Sequence, residues 1–161
     1  VILVSKLADY AVVLAVHLAQ QPGGDSLSAQ GLADATRLPA ATVAKVMKAL
    51  AKAGVVVGAR GAAGGYRLAR CPSLISVADL VSALDGPMAV TQCSGAGTDH
   101  TKCEHLPYCG TKLHWGRINQ AVATALAAVT LKDMTAPSAL MVPPHKRLQE
   151  TAGQPLERVT P

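Results

Sequence analysis

Apolar residues recur at helical spacing along most of the chain and at strand-like spacing in one short stretch. Leu7, Tyr10, Ala11, Leu14 and Leu18 return every three or four residues, which predicts an amphipathic helix over residues 5–20. Gln21-Pro22-Gly23-Gly24 ends it, and Ser28 is placed to cap a short second helix reaching about Thr36. After a tight turn at Arg37-Leu38-Pro39, with Pro39 suited to a first helical turn, a third helix runs to Gly54, a natural C-terminal stop. Its residues Val43, Val46, Met47 and Leu50 share one face, and Lys45, Lys48 and Lys52 share the other. Two helices joined by a short turn, the second apolar on one side, form the helix-turn-helix pattern. Val55-Val56-Val57 and Tyr66-Arg67-Leu68 flank a glycine-rich turn and predict a β-hairpin directly after that helix, which is a wing.

Further on, Ser76-Val77-Ala78-Asp79 opens a fourth helix with a capping-box-like start, and Gly86-Pro87 closes it. From Lys112 to about Leu131 the spacing is helical again, with Leu113, Ile118, Val122, Leu126 and Val129 on a broad apolar face. A lone helix does not leave such a face in water, so a second copy is expected to cover it. After Met134, Pro137, Pro143, Pro144, Pro155 and Pro161 punctuate a polar tail expected to stay flexible. The expected fold is mainly α with a small β-hairpin wing. It divides into a winged helix-turn-helix domain (1–87), a cysteine loop (88–111), a long dimerisation helix (112–134) and a tail (135–161).

Composition sharpens this picture. Half of the 161 residues are apolar, enough for a core, but Ala, Val and Leu dominate and Phe is absent, which favours helices. The apolar run from Val1 to Leu18 is broken by Lys6 and Asp9, and no later stretch is long enough to span a bilayer, so a soluble cytoplasmic protein without membrane contact is expected. An enzyme is disfavoured. No Ser/His/Asp set or phosphate loop is recognisable, and the glycine-rich segment sits in a hairpin rather than between strand and helix.

The net charge of +5 matters less than its distribution. Between Ala35 and Ala78 stand Arg37, Lys45, Lys48, Lys52, Arg60, Arg67 and Arg70, with no acidic residue among them. A lysine face alone is what any solvated helix can show. Followed by a wing with Arg60 at its tip, it points to double-stranded DNA, with lysines on phosphates and arginine in a narrow minor groove. Gly61, Gly64 and Gly65 let the wing backbone bend and approach the duplex.

Of four cysteines, Cys93, Cys103 and Cys109 cluster with spacing C-x9-C-x5-C, whereas Cys71 stands apart and is expected to be structural. An odd cluster in a helical, small-residue chain suggests metal ligation rather than disulfides. No Cys-x-x-Cys pair supports a zinc ribbon, and soft thiolates suit an iron–sulfur cluster, which normally takes four protein ligands.

Three segments carry a resemblance. Leu3-Val4-Ser5-Lys6-Leu7-Ala8-Asp9-Tyr10-Ala11 resembles the opening helix of the IscR/NsrR-type iron–sulfur winged-helix regulators. Arg60-Gly61-Ala62-Ala63-Gly64-Gly65-Tyr66-Arg67-Leu68 is similar to that family's wing signature, and Ile75-Ser76-Val77-Ala78-Asp79-Leu80 with Leu84-Asp85-Gly86 to its fourth helix. The likeness spans roughly residues 3–134 and is strongest to regulators of SUF-type iron–sulfur cluster assembly.

The resemblance implies a homodimeric repressor with recognition helices in successive major grooves of an imperfect palindrome. It places Pro39, Ala41, Thr42, Ala44 and Lys45 at base-reading positions and Arg60 in the minor groove, with Lys48 and Gly61 beside them. Ala44 stands where the cluster-assembly regulator has a sequence-discriminating glutamate, so that operator preference does not carry over. It also implies a 2Fe-2S or 4Fe-4S cluster on Cys93, Cys103 and Cys109. One branch of the family completes the site with a histidine three residues after the last cysteine, where this chain has Lys112. The nitric-oxide-sensing branch uses a first-helix aspartate from the partner subunit, and Asp9 holds that position; His105 and His114 are the alternatives. Rival readings are a zinc-structured winged-helix regulator and an iron–sulfur carrier or scaffold.

Overall fold

The structure, a computed structural model, describes residues 3–59, 64–91, 103 and 108–135. Helix α1 (Lys6–Ala19) starts at Ser5, whose Oγ accepts the Ala8 N–H at 3.1 Å. Its inner face is Ala8, Ala11, Leu14, Ala15 and Leu18, all buried. Three alanines among these five let neighbouring helices approach closely, which makes α1 the centre of the fold. Packed on it are α2 (Ala29–Thr36), α3 (Ala40–Lys52), α4 (Val77–Asp85) and α6 (Leu131–Thr135). Leu14, Leu32, Met47, Leu50, Ile75, Leu80 and Leu131 are the largest side chains sealed in this core. Each contributes about 1.5–3 kcal/mol relative to exposure. No polar side chain is buried among the described residues.

α3 ends in a Schellman turn. Gly54 adopts φ +70°, its N–H reaches Ala51 O at 3.1 Å, and the Val55 N–H reaches Leu50 O at 3.0 Å. Leu50 and Val55, the two ends of that turn, are both buried. Val55 therefore belongs to the helix stop, and β1 begins one residue later than the valine run suggests. β1 (Val56–Ala59) pairs antiparallel with β2 (Gly65–Leu68), Val56 opposite Leu68 and Ala59 opposite Gly65. A third partner was not foreseen: Leu27 and Tyr66 exchange backbone hydrogen bonds of 3.0 and 2.7 Å, so the segment before α2 docks on the wing.

α4 opens with the expected capping box between Ser76 and Asp79, and Gly86 (φ +82°) closes it. The final helix differs from expectation. α5 (Lys112–Ala127) stops at Ala127, and Val129 is not on it. The Val129 carbonyl accepts the Val77 N–H at 2.9 Å, and the Leu131 N–H donates to Ile75 O at 2.9 Å, tying the chain back beside the start of α4. Thr130 then opens α6 with a second capping box, its Oγ1 donating to Asp133 Oδ2 at 2.6 Å while accepting the Asp133 N–H at 3.3 Å. The single helix expected to run to about Leu131 is therefore two, and Leu131 sits fully buried in the core.

Candidate nucleic-acid interface and cysteine loop

Between α2 and α3 the chain must reverse within three residues. Arg37 makes the bend in the left-handed region (φ 56°, ψ 29°), and Pro39 follows at the N-cap of α3 with φ −58° and ψ 131°. Pro39 thus sits one position before the first helical turn, and its carbonyl accepts the N–H groups of Thr42 and Val43 at 2.9 and 3.0 Å. Val43, Val46, Met47 and Leu50 anchor α3 in the core. The helical period then forces Ala41, Lys45, Lys48 and Lys52 onto the opposite, outward line, and all four are exposed. Ala40 and Ala44 are exposed beside that line, and Thr42 is half-buried at its edge.

The charges on this surface are uncommitted. Among the described residues the one ion pair is Arg70–Asp79, at 3.9 Å and well exposed. Arg37, Lys45, Lys48, Lys52 and Arg67 make neither ion pairs nor side-chain hydrogen bonds among the described residues, so they remain available to phosphates. The structure brings together Pro39, Ala41, Thr42, Lys45 and Lys48 of the expected interface. Arg60 and Gly61 lie outside the described residues. The sequence did not reveal that Arg37 occupies a left-handed turn; the only hint was its place two residues before a proline.

The cysteine loop is joined to the fold at its entry, where the Val90 N–H donates to Asn119 Oδ1 of α5 at 3.0 Å. Asn119 was missed because an isolated amide within a helix carries no motif. Cys103 and Cys109 are half-exposed free thiols, and Cys93 and His105 lie outside the described residues. The Thr111 hydroxyl, 3.3 Å from Cys109 Sγ, holds that thiol below its ordinary range, with Lys112 helping. Asp9 is exposed in the first turn of α1 and lines a shallow cleft with Val13, His17, Thr36 and Met134. Among the described residues Asp9, Cys103 and Cys109 do not gather into one metal-sized group within a single chain, and His114 is exposed on α5. Cys71, expected to be structural, is instead exposed, and the Ser73 hydroxyl at 3.3 Å lowers its thiol pKa.

Among the described residues α5 has no fully buried side chain. Its expected apolar face is divided. Leu126 turns toward α4, lining a cleft with Val81 and Met88, and Val122 is half-buried, whereas Leu113, Ile118, Ala121, Ala125 and Ala128 remain exposed. No helix among the described residues is long and apolar enough to cross a membrane.

Residues 4–137 match the family Rrf2, iron-dependent transcriptional regulator. The chain belongs to the Rrf2 family. An HTH-type transcriptional regulator of Mycobacterium tuberculosis is 33% identical over 134 residues, covering 81% of this chain and 79% of that protein. Protein rrf2 of Nitratidesulfovibrio vulgaris is 30% identical over 121 residues, covering 75% and 76% of the two chains. Among solved structures, IscR of T. potens aligns with TM-score 0.64 and 28% identity over 91% of this chain and 96% of its own. CymR, the global cysteine regulator of B. subtilis, aligns with TM-score 0.65 and 27% identity over 84% and 97%. This Rrf2 protein is a winged-helix, DNA-binding transcriptional regulator and not an enzyme.

Proposed function

We propose that this Rrf2 protein is a homodimeric, cytoplasmic repressor of iron–sulfur assembly or stress genes that responds to an iron–sulfur cluster. The observation that carries the DNA half is the outward line of Lys45, Lys48 and Lys52 on α3, free of ion pairs among the described residues. The two α3 helices would enter successive major grooves of an imperfect palindrome, with Arg60 and Gly61 of the wing at the minor groove.

The donor set fits the cluster half. Cys103 and Cys109 are free and half-exposed, and Cys109 is biased toward the thiolate that iron prefers. Cys93, Cys103 and Cys109 would hold the cluster, with Asp9 of the second subunit as fourth ligand and His105 or His114 as the alternatives. When bound, the cluster supplies a redox- and ligand-sensitive centre whose loss alters the population of DNA-competent dimers. The second subunit would meet the open side of α5 around Ile118, Ala121 and Ala125, which are exposed among the described residues.

Anaerobic purification with an absorption spectrum, iron and sulfide counts, and gel shifts across salt tests the whole reading. Visible colour is expected to be lost in Cys93→Ala, Cys103→Ala and Cys109→Ala alike. In Asp9→Ala the expected result is an altered or labile cluster; a silent Asp9→Ala with a responsive His105→Ala or His114→Ala reassigns the ligand. A colourless zinc protein, or one that donates its cluster and shows no salt-sensitive duplex binding, overturns the proposal. On DNA, Arg60→Ala should cost about 1–3 kcal/mol at specific sites, while Lys48→Ala weakens all duplexes alike and flattens the salt slope.

A further inference from the structure

The DNA-facing surface of α3 has an unusual chemistry for a reading helix. Ala40–Lys52 contains no Asn, Gln, Arg, Asp, Glu, His or Ser, so the side chains able to hydrogen-bond a base edge are Thr42 and the lysines. Bidentate recognition of adenine, which needs a side-chain amide, is not available from this helix, nor is acceptance from a cytosine amino group by a carboxylate. Thr42 is half-buried. The exposed groups on the N-terminal two turns, the part of a recognition helix that meets bases, are the methyls of Ala40, Ala41 and Ala44, with Lys45 immediately behind them.

In the major groove the one apolar mark on a base edge is the C5-methyl of thymine. Alanine is also the shortest side chain that still carries a methyl, so it lets the α3 backbone sit deep in the groove. We infer that Ala41 and Ala44 determine specificity by apolar contact with thymine C5-methyl groups, and that Lys45, Lys48 and Lys52 supply affinity without discriminating thymine. This deepens the DNA reading above and rests on it, assigning roles within that interface.

The test uses deoxyuridine, which pairs as thymine does and differs only by lacking the C5-methyl. The full chain first selects sites from a randomised duplex pool, and each thymine of a selected half-site is then replaced singly by deoxyuridine. At one or two thymines per half-site the wild type should bind about fourfold more weakly, the loss for one buried methylene-sized group. In Ala41→Ser or Ala44→Ser, which keep side-chain size but present a hydroxyl, the deoxyuridine penalty at the matching thymine should shrink toward onefold. Salt-sensitive binding of the wild type with no deoxyuridine penalty, or a penalty unchanged in both serine variants, overturns the methyl assignment while leaving the DNA reading intact. A wild type that binds no duplex removes that reading, and this inference with it.

Discussion

The hydroxyl of Ser5 donates to Asp85 Oδ1 at 2.6 Å while the Ser5 N–H donates to Asp85 Oδ2 at 3.2 Å. One residue at the start of α1 and one at the end of α4, 80 positions apart, are thus clasped by both carboxylate oxygens. Ser5 Oγ simultaneously caps α1 through Ala8. Ser5→Ala removes the cap and the hydroxyl half of the clasp, leaving the Ser5 N–H bond to Asp85, and should cost about 1–2 kcal/mol in urea unfolding. Asp85→Ala leaves the cap and should cost less. A double-mutant cycle giving no coupling energy would show that the hydroxyl half of the clasp adds nothing.

Gly65 is held by space rather than by backbone angle. A Cβ there would lie 2.7 Å from the backbone carbon and oxygen of Leu27 and 3.0 Å from Ser28 N. Because those are backbone atoms, Gly65→Ala should separate Leu27 from Tyr66 and loosen the wing, losing about two hydrogen bonds and roughly 1–3 kcal/mol. Amide exchange at Tyr66 should rise more than at Leu50; equal protection in the variant and the parent would contradict this.

Arg37 is the one non-glycine residue with positive φ among the described residues. Arg37→Gly relieves the steric cost of that conformation but adds unfolded-chain entropy, and the expected net gain is up to about 1 kcal/mol in thermal unfolding. Arg37→Val should destabilise, since a β-branched side chain tolerates the left-handed region poorly. Both variants also lose an exposed cation beside α3, so if that surface meets DNA as proposed, the salt dependence of duplex binding should flatten in each.

Leu131 links α6 to the DNA-binding core, fully buried and with its N–H on Ile75 O. Leu131→Ala should cost about 2–5 kcal/mol, the range for a leucine cavity that cannot collapse. An exposed neighbour such as Lys132 should tolerate alanine within about 0.5 kcal/mol. If Leu131→Ala unfolds at the same urea concentration as the parent, α6 is not part of the core.

The Thr130–Asp133 cap predicts an acid sensitivity with a definite sign. Hydrogen bonds from Thr130 Oγ1 at 2.6 Å and Thr130 N at 2.8 Å hold the Asp133 carboxyl below its ordinary value. The unfolded chain therefore takes up this proton more readily than the folded one. The stabilisation is fully present above the ordinary carboxylate pKa of about 3.9 and is lost as pH falls through the lower folded-state value. Unfolding curves from neutral to acid pH should show a shallower loss in Asp133→Asn than in the parent.

Most local elements were legible in the chain. Ser28 and Ser76 marked helix starts because a short side-chain oxygen before an apolar period has one good use. Gly54 marked a stop, and lysines at i, i+3 and i+7 marked the exposed basic face of α3, because helical period alone separates Lys45, Lys48 and Lys52 from Val43, Met47 and Leu50. Tertiary structure decided where elements end and what they meet. Leu126 is as apolar as Ile118, and only the position of α4 determines that Leu126 lines a cleft with Val81 while Ile118 stays open. Thr130-x-x-Asp133 repeats the pattern of Ser76-x-x-Asp79, yet within an alanine-rich helical run its local signal competes with strong helix propensity. It prevails because Val129 and Leu131 gain backbone partners beside Ile75 and Val77, more than 50 positions away, and contacts at that separation leave no periodic trace in the chain.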